Sequence, residues 1–200
     1  PEKIGAIEEK LATSAGTCGV MGTASTMACL AAALGFMPLM AASAPAVHAD
    51  RLRMAEEAGE LAMRLLTHPV RPSQLVTEKS VENALRVLLS LGGSTNALVH
   101  LAAIAGRAGI PVNLKRLDAL SEETPVLVDL KPTGEGYMED FHAAGGMVAL
   151  LRELRDLLHL DTIDLYGRTL AEQLDAGSAF VDRGIIHARA TPVSPVGGLV

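Results

Sequence analysis

The chain has 200 residues, of which 49% are hydrophobic and 20% charged, and its formal net charge is −6. It has no Trp, two Tyr and three Phe, so its core must be built from aliphatic side chains and Met. The negative charge argues against a general nucleic-acid-binding surface. Cys18 and Cys29 lie on a predicted turn and in the following helix, where they do not pair easily. Free thiols of this kind indicate a reduced, cytoplasmic protein.

One long segment without charged residues could be either a membrane span or part of a buried core. No Asp, Glu, Lys or Arg occurs from Leu11 to Val47, which is long enough to span a bilayer. Glycines and prolines interrupt this segment repeatedly, and Thr and Ser are frequent in it. The pattern therefore predicts a buried, folded segment and no membrane association.

Predicted helices alternate with few strands along the chain. Periodicity and breaker residues predict helices over 1–11, 26–34, 49–66, 80–91, 97–108, 139–158 (broken at Gly145–Gly146) and 169–176. Thr23 or Ser25 is expected to cap the helix over 26–34, and Gly35 to end it. The apolar run Val126–Leu130 is predicted to be a buried strand. These elements predict an α/β fold in which helices predominate.

The helix over 49–66 is expected to be amphipathic. Its apolar residues fall on one side and its charges on the opposite side. The apolar set is Leu52, Ala55, Ala62, Leu65 and Leu66.

Cys18 is the first candidate for chemistry. It lies in a glycine-rich turn just before an apolar helix, where backbone N–H groups and the helix dipole favour thiolate. A metal or cluster ligand, a nucleophile and a small buried thiol are all compatible with that setting. The segment has no Cys-x-x-Cys pair, so it cannot complete a cluster alone. Cys29, in the middle of the apolar helix, is expected to be a core residue.

Two groups of small polar residues are candidates for binding an anion. Ser94, Thr95 and Asn96 follow a Gly-Gly turn and open a helix, whose N–H groups can receive an anion. Their alternative role is to cap that helix. The same choice applies to a second group near Cys18, which comprises Thr23, Ser25 and Thr26.

The histidines give weaker indications. His142 follows Glu139 and Asp140, and these three residues form a conceivable metal constellation, but a solvated helix start is the favoured interpretation. His100 lies four residues after Asn96 and shares its helix face. No role is assigned to His48, His68, His159 and His187.

Four blocks of sequence, in this order, resemble the dihydroxy-acid and sugar-acid dehydratases. The first is Gly16–Cys18 with Met21–Met27, and the second is Ala84–Ala97. The third joins Asp129–Gly134 with Tyr137–Gly146, and the fourth is Pro192–Leu199. The heptapeptide Met21–Met27 is closer to the sugar-acid subgroup, such as the arabinonate-type dehydratases.

The resemblance implies a hydro-lyase that removes water from a 2,3-dihydroxy carboxylic acid, here a sugar acid, to give a 2-keto-3-deoxy acid. It implies an iron–sulfur cluster as Lewis acid, 2Fe–2S rather than 4Fe–4S, together with Mg²⁺. Cys18 matches one of three cluster cysteines. The expected substrate-binding residues are Thr23, Ser25, Thr26, Ser94, Thr95 and Asn96.

The resemblance also implies an architecture. Residues 1–184 match part of a cluster-binding α/β domain with a parallel sheet flanked by helices, cut at both ends. Residues 185–200 match the junction and the start of a β-rich C-terminal domain. The remaining cluster cysteines, the Mg²⁺ ligand and a modified lysine are expected upstream, and the serine base downstream. The segment is therefore expected to be inactive alone, and the parent protein to be a homodimer or homotetramer.

Three alternatives stay open. The substrate could be the dihydroxy acid of branched-chain amino-acid biosynthesis. The segment could be a non-catalytic folding or dimerisation element. Cys18 could be the nucleophile of a thiol enzyme, with His100 or His142 as its base.

Overall fold

The computed structural model describes residues 3–5, 16 and 19–199, so Cys18 lies outside the described residues. Within that part of the chain the regular elements are helices. The α-helices are α1 (Thr23–Ala33), α2 (Ala49–Thr67), α3 (Pro72–Leu75), α4 (Glu78–Ser90), α5 (Thr95–Arg107), α6 (Leu114–Glu123), α7 (Met138–Ala143), α8 (Gly146–Glu153) and α9 (Leu170–Ala176). Two 3₁₀ turns cover Leu39–Ala42 and Arg155–Leu157.

Helix α4 is at the centre of the fold. It begins with a reciprocal cap, in which the Ser80 N–H donates to Thr77 Oγ1 at 3.2 Å and the Thr77 N–H donates to Ser80 Oγ at 2.9 Å. It packs against α1, α5 and α6, and most of its residues are buried. Its apolar residues Val81, Ala84, Leu85, Leu88 and Leu89 all belong to the core.

The expected parallel sheet is wrong for the described residues, which contain only isolated β-bridges. Residues 126–130 are extended and mostly buried, as predicted, but their neighbours pair with them one residue at a time. Val126 bridges Ser194 and Val128 bridges Ile186. On the adjoining helix, the carbonyl of Ser90 accepts the N–H of Leu127 at 3.0 Å.

Prolines explain why no ladder develops there. The segment that carries Ser194 has Pro192 and Pro195 on either side, and a proline has no N–H to donate. The contact with the last residue of α4 takes up a bond that a second strand would need. The described part of the chain is therefore helix-rich and has no sheet.

Most helices predicted within the described residues are confirmed, with three differences, whereas the helix predicted over 1–11 lies mostly outside the described residues. Helix α1 begins at Thr23 with Gly22 as its N-cap and no side-chain cap, so Thr23 and Ser25 lie inside the helix and the predicted capping is wrong. Helix α6 was not predicted from the sequence. The third difference concerns the apolar side of α2.

The apolar side of α2 faces solvent. Leu52 is 78% exposed, Met63 68% and Leu66 75%, whereas Leu61 is the one residue of this helix that is buried. Helix α2 meets the rest of the described chain mainly through the 3₁₀ turn at Leu39–Ala42. An amphipathic pattern thus predicted the helix correctly but did not show which side is covered.

Residues 185–199 lie along the extended segment. The N–H of Asp129 donates to the Ile185 carbonyl at 2.9 Å, and Ile186 is fully buried. The division at residue 184 stays a prediction. None of the helices in the described residues has the length and apolarity needed to cross a bilayer.

Candidate functional site

Two of the sequence blocks meet at Gly19 and Met21, which follow Cys18 in the sequence. The carbonyl of Gly19 accepts the N–H of Met138 at 2.8 Å, and the N–H of Met21 donates to the Lys131 carbonyl at 2.8 Å. Backbone bonds therefore attach the segment just after Cys18 to the turn that precedes α7. The first and third blocks are joined by these two bonds.

The second block packs against the start of α1. The N–H of Ser94 donates to Thr26 Oγ1 at 3.1 Å, and the same hydroxyl donates to the Gly22 carbonyl at 2.8 Å. A Cβ atom on Gly93 would lie 2.8 Å from both Leu88 Cδ1 and Thr26 Cγ2. Only glycine lets the turn before α5 approach α1 this closely.

Three polar side chains form a hydrogen-bonded group here, which we call the hydroxyl cluster: Thr23, Ser94 and Asn96. Thr23 Oγ1 and Ser94 Oγ are 2.9 Å apart, and Asn96 Nδ2 donates to Thr23 Oγ1 at 3.2 Å. Thr95, beside them, is exposed. The structure thus brings together residues that are more than 70 positions apart in the sequence.

The other two predicted binding residues are buried. Ser25 is 3% and Thr26 0% exposed. Ser25 Oγ donates to the Val20 carbonyl at 2.9 Å, and Thr26 binds Gly22 and Ser94 as described above. These two side chains hold the first turn of α1 and the turn before α5 in place, while Thr23 and Asn96 are accessible.

The electrostatics at the hydroxyl cluster favour an anion. The N-termini of α1 and α5 meet there, and neither helix has an acidic residue in its first turn. Among the other α-helices, α2, α4, α7 and α9 carry an acidic residue there, whereas α3, α6 and α8 do not. Two helix N-termini without a compensating carboxylate present partial positive charge to a ligand.

A lysine lies on the adjoining turn. Lys131 Nζ donates to the hydroxyl of Tyr137 at 2.8 Å and lies 4.0 Å from the centre of its ring. The hydrogen bond to Tyr137 raises the pKa of Lys131 above its usual value. Lys131 is therefore cationic at neutral pH. Its own backbone carbonyl accepts the N–H of Met21.

The donor set of this chain does not by itself hold a whole iron–sulfur cluster or Mg²⁺. Cys29 is fully buried, and burial raises the pKa of its thiol from 9.0 to about 12, so the chain offers at most the thiolate of Cys18. A cluster requires several thiolates. The hydroxyl cluster provides hydroxyl and amide groups but no carboxylate, whereas Mg²⁺ is usually held through carboxylates. The remaining thiolates of a cluster would have to come from outside this chain, because it has only two cysteines.

A second group of polar side chains was missed by the sequence analysis. His48, Asp50 and His142 bring their ligand atoms within 4.8 Å of one another, and we call them the His–Asp–His cluster. The hydrogen bond from Arg53 holds the pKa of Asp50 below its usual value. Glu139 and Asp140, considered beside His142 in the sequence, are not part of this group. No sequence spacing indicated it, because His142 is far from the other two residues along the chain.

Comparison with known proteins places the chain in a family. Residues 1–173 match the pattern of the dihydroxy-acid/6-phosphogluconate dehydratase N-terminal domain. The chain therefore belongs to the dihydroxy-acid/6-phosphogluconate dehydratase family, as the four blocks indicated.

Individual relatives agree with this family. A dihydroxy-acid dehydratase of Haloarcula marismortui is 44% identical over 171 residues, which cover 84% of this chain and 30% of the relative. One of Acetivibrio thermocellus is 39% identical over 194 residues (96% of this chain, 35% of the relative). One of Parvibaculum lavamentivorans is 39% identical over 201 aligned positions (100% and 35%). The chain spans about a third of the length of these curated relatives.

Proposed function

We propose that the protein containing this chain is a hydro-lyase that removes water from a 2,3-dihydroxy carboxylic acid. The observation that carries the proposal is the hydroxyl cluster at two helix N-termini, next to the segment that follows Cys18. Family membership supports the reaction class. The chain covers only part of the relatives, and the activity is proposed for the whole protein.

In this proposal the hydroxyl cluster binds the acidic end or the hydroxyl groups of the substrate. Thr23 and Asn96 are accessible, and Ser94 is fixed by its contact with Thr23, so these groups can orient a polar ligand without large rearrangement. The partial charges of the two helix N-termini favour the carboxylate. Ser25 and Thr26 act as positioning residues.

Cys18 is proposed as one of the three thiolate ligands of an iron–sulfur cluster, 2Fe–2S in type, with Mg²⁺ bound by residues outside this chain. Such a cluster, when bound, supplies a Lewis acid for the departing hydroxyl group. The general base is also proposed to lie outside this chain. We further propose a cytoplasmic location, to which the free, buried Cys29 is suited.

For the substrate, we propose a sugar acid first and the branched-chain dihydroxy acid second. The sugar acid rests on the heptapeptide Met21–Met27, in which Gly22 is the N-cap of α1. The names of the relatives support dehydration of a dihydroxy acid and do not choose between these two substrates. A screen of pentonates, hexonates and 2,3-dihydroxy-3-methyl acids for keto-acid release would choose between them.

The cluster proposal is tested by matched cysteine variants of the complete gene product. Cys18→Ala is expected to abolish stoichiometric iron and sulfide, measured anaerobically together with the visible spectrum. Cys29→Ala, which removes the buried thiol, is expected to retain both. Equal iron content in the two variants would rule out Cys18 as a ligand.

The binding role is tested by kinetics. Removing a hydrogen bond to a charged group costs about 1.5–3 kcal/mol, so Ser94→Ala or Asn96→Ala should lower kcat/KM roughly 10- to 150-fold. Ser73→Ala, an exposed serine on α3, serves as the control and should leave kcat/KM unchanged. Unchanged kinetics in all three variants would refute substrate binding at the hydroxyl cluster.

A second candidate role, self-association, is favoured by the exposed side of α2. We propose that this side packs on the same helix of a second copy. Its positions 52, 55, 59, 63 and 66 are nearly symmetric about Gly59, with a leucine at each end and small residues at 55 and 59. A two-fold interface needs such a self-complementary surface, because an antiparallel copy would place Leu52 opposite the second copy's Leu66.

Sedimentation tests this role on the complete protein. Leu52→Glu with Leu66→Glu should convert the oligomer to a smaller species, because the substitutions place four charges in the interface of two copies. Val99→Glu alters a residue on α5 that is also exposed, by 70%, and should leave the oligomer intact. An unchanged oligomer in the double variant would exclude α2 as the interface.

A further inference from the structure

The His–Asp–His cluster joins two parts of the chain that are remote from each other in sequence. His48 is the N-cap of α2, Asp50 lies in its first turn, and His142 is in α7. His48 Nδ1 lies 3.2 Å and His142 Nε2 lies 3.4 Å from the same carboxylate oxygen, Asp50 Oδ2. We propose that these three residues bind a divalent transition-metal ion of the Zn²⁺ type.

The two separations from the histidine nitrogens to the shared carboxylate oxygen suit such an ion, and the two nitrogens lie within 4.8 Å of each other. In tetrahedral zinc sites the metal–ligand bonds are about 2.0–2.1 Å, so neighbouring ligand atoms are separated by about 3.3 Å. The two separations to Asp50 Oδ2 match that value. Two imidazoles and one carboxylate also form a donor set that Zn²⁺ and similar ions prefer, whereas Mg²⁺ prefers oxygen ligands.

His48 Nδ1 has two polar neighbours on Asp50. It lies 3.3 Å from the backbone N of Asp50, whose N–H donates to it when Nδ1 is unprotonated, and 3.2 Å from Asp50 Oδ2. Because a neutral ring nitrogen has a single lone pair, a metal ion on Nδ1 would take the lone pair that now caps α2, with Asp50 Oδ2 already close enough to share the ion.

The groups around the cluster orient its ligands. Ser43, 4% exposed, has its Oγ 3.1 Å from His142 Nδ1, so the histidine can donate from Nδ1 and keep Nε2 free for a metal. The His142 side chain is itself only 9% exposed. Arg53 pairs with Asp50 Oδ1, which leaves Oδ2 for the metal. Such outer contacts fix the orientation of ligands in established metal sites.

The cluster is open on one side. The His48 side chain is 48% exposed, so an ion can enter from solvent and water can complete its coordination. A groove of about 410 Å³ reaches Asp50 and Arg53 but includes neither Thr23, Ser94 nor Asn96 in its lining. The proposed metal site thus uses none of the residues of the hydroxyl cluster and does not depend on the proposed dehydratase activity.

The test measures metal binding by the untagged chain with Cys18→Ser, which removes the competing thiol. Zn²⁺ is titrated in competition with a chromophoric chelator, and the Co²⁺ absorption spectrum reports the ligand types. One equivalent is expected to bind, without a thiolate charge-transfer band. His48→Gln and His142→Gln should each weaken binding at least tenfold, and Ser43→Ala should weaken it about tenfold. His159→Gln and His187→Gln are the controls and should bind like the parent.

Folding is checked on the metal-free proteins by circular dichroism and urea unfolding. If His142→Gln fails to fold, the exposed residue His48 decides the question. Zn²⁺ should also raise the urea midpoint of the parent and of the controls, but not that of His48→Gln. The proposal is overturned if one-equivalent saturable binding is absent, or if His48→Gln binds as tightly as the His159→Gln control.

Discussion

The hydroxyl of Thr26 joins the N-terminus of α1 to the turn before α5, and its removal can be predicted quantitatively. Thr26→Val keeps the shape and branching of a fully buried side chain and has nearly the same helix propensity. The Gly22 carbonyl would still accept the N–H of residue 26, at 2.9 Å. The N–H of Ser94, now 3.1 Å from Thr26 Oγ1, would lose its partner inside the protein.

A buried donor without a partner costs about 1–3 kcal/mol. The free energy of unfolding from urea titration should therefore fall by about 1–3 kcal/mol for Thr26→Val. For a domain of this size, each kcal/mol lowers Tm by about 2–4 °C. The urea m-value should not change, because the surface exposed on unfolding is the same.

Thr95→Val is the matched control, because it removes an exposed hydroxyl from the first turn of α5. Its effect should lie within about 0.5 kcal/mol of zero. If the two variants have equal stabilities, the bond between Ser94 and Thr26 contributes nothing measurable. The account of how α1 and α5 are held together would then be wrong.

Three further predictions concern packing and titration. In urea unfolding, Gly93→Ala should lower the free energy of unfolding by about 1–3 kcal/mol, because the added methyl group clashes with α1. In the control Gly106→Ala a Cβ meets nothing within 4 Å, so the substitution should stabilise α5 by about 0.5–1 kcal/mol. Equal effects of the two substitutions would contradict the close approach of Gly93 to α1. In a Cys18→Ser variant, iodoacetamide should label Cys29 only after unfolding, because burial raises the pKa of the Cys29 thiol to about 12. Rapid labelling of the folded chain would contradict the burial of Cys29. The hydrogen bond from the Thr169 N–H lowers the folded pKa of Glu172 below 4.5. The ionised Glu172 therefore stabilises the fold above pH 4.5, and this stabilisation is lost as the pH falls through the folded pKa. Glu172→Gln should flatten the dependence of the free energy of unfolding on pH in that range, and an identical dependence in the variant would exclude the effect.

The helices were largely predictable because their signals are local. Thr77 with Ser80 and Thr169 with Glu172 form reciprocal caps, each within a segment of four residues. The break between two helices occurs at Gly145, which has a left-handed backbone conformation with φ +112°. The sheet was not predictable in this way. A buried apolar run such as 126–130 becomes a ladder strand only if its neighbours offer consecutive N–H and C=O groups, and the prolines beside Ser194 prevent that.

In the candidate site, too, features set by neighbouring residues were predictable and contacts between distant residues were not. The Gly-Gly turn and the polar residues at 94–96 could be singled out from the sequence, because a helix start is a local pattern. Their contact with Thr23 could not, because it depends on how α1 and α5 pack across α4. The sequence assigned no role to His48 for the same reason, since its neighbour His142 is contributed by α7.

The family, most helices and the polar residues at the helix starts were predictable from the sequence, because each depends on neighbouring residues or on an ordered series of motifs. Three features became known only from the packing of the elements: which side of α2 is covered, which polar residues meet in the hydroxyl cluster, and the contact of two histidines with one carboxylate oxygen. These features depend on contacts between residues remote in sequence. Periodicity gives the direction of a side chain on its own helix, but the packing of other elements decides what that side chain meets.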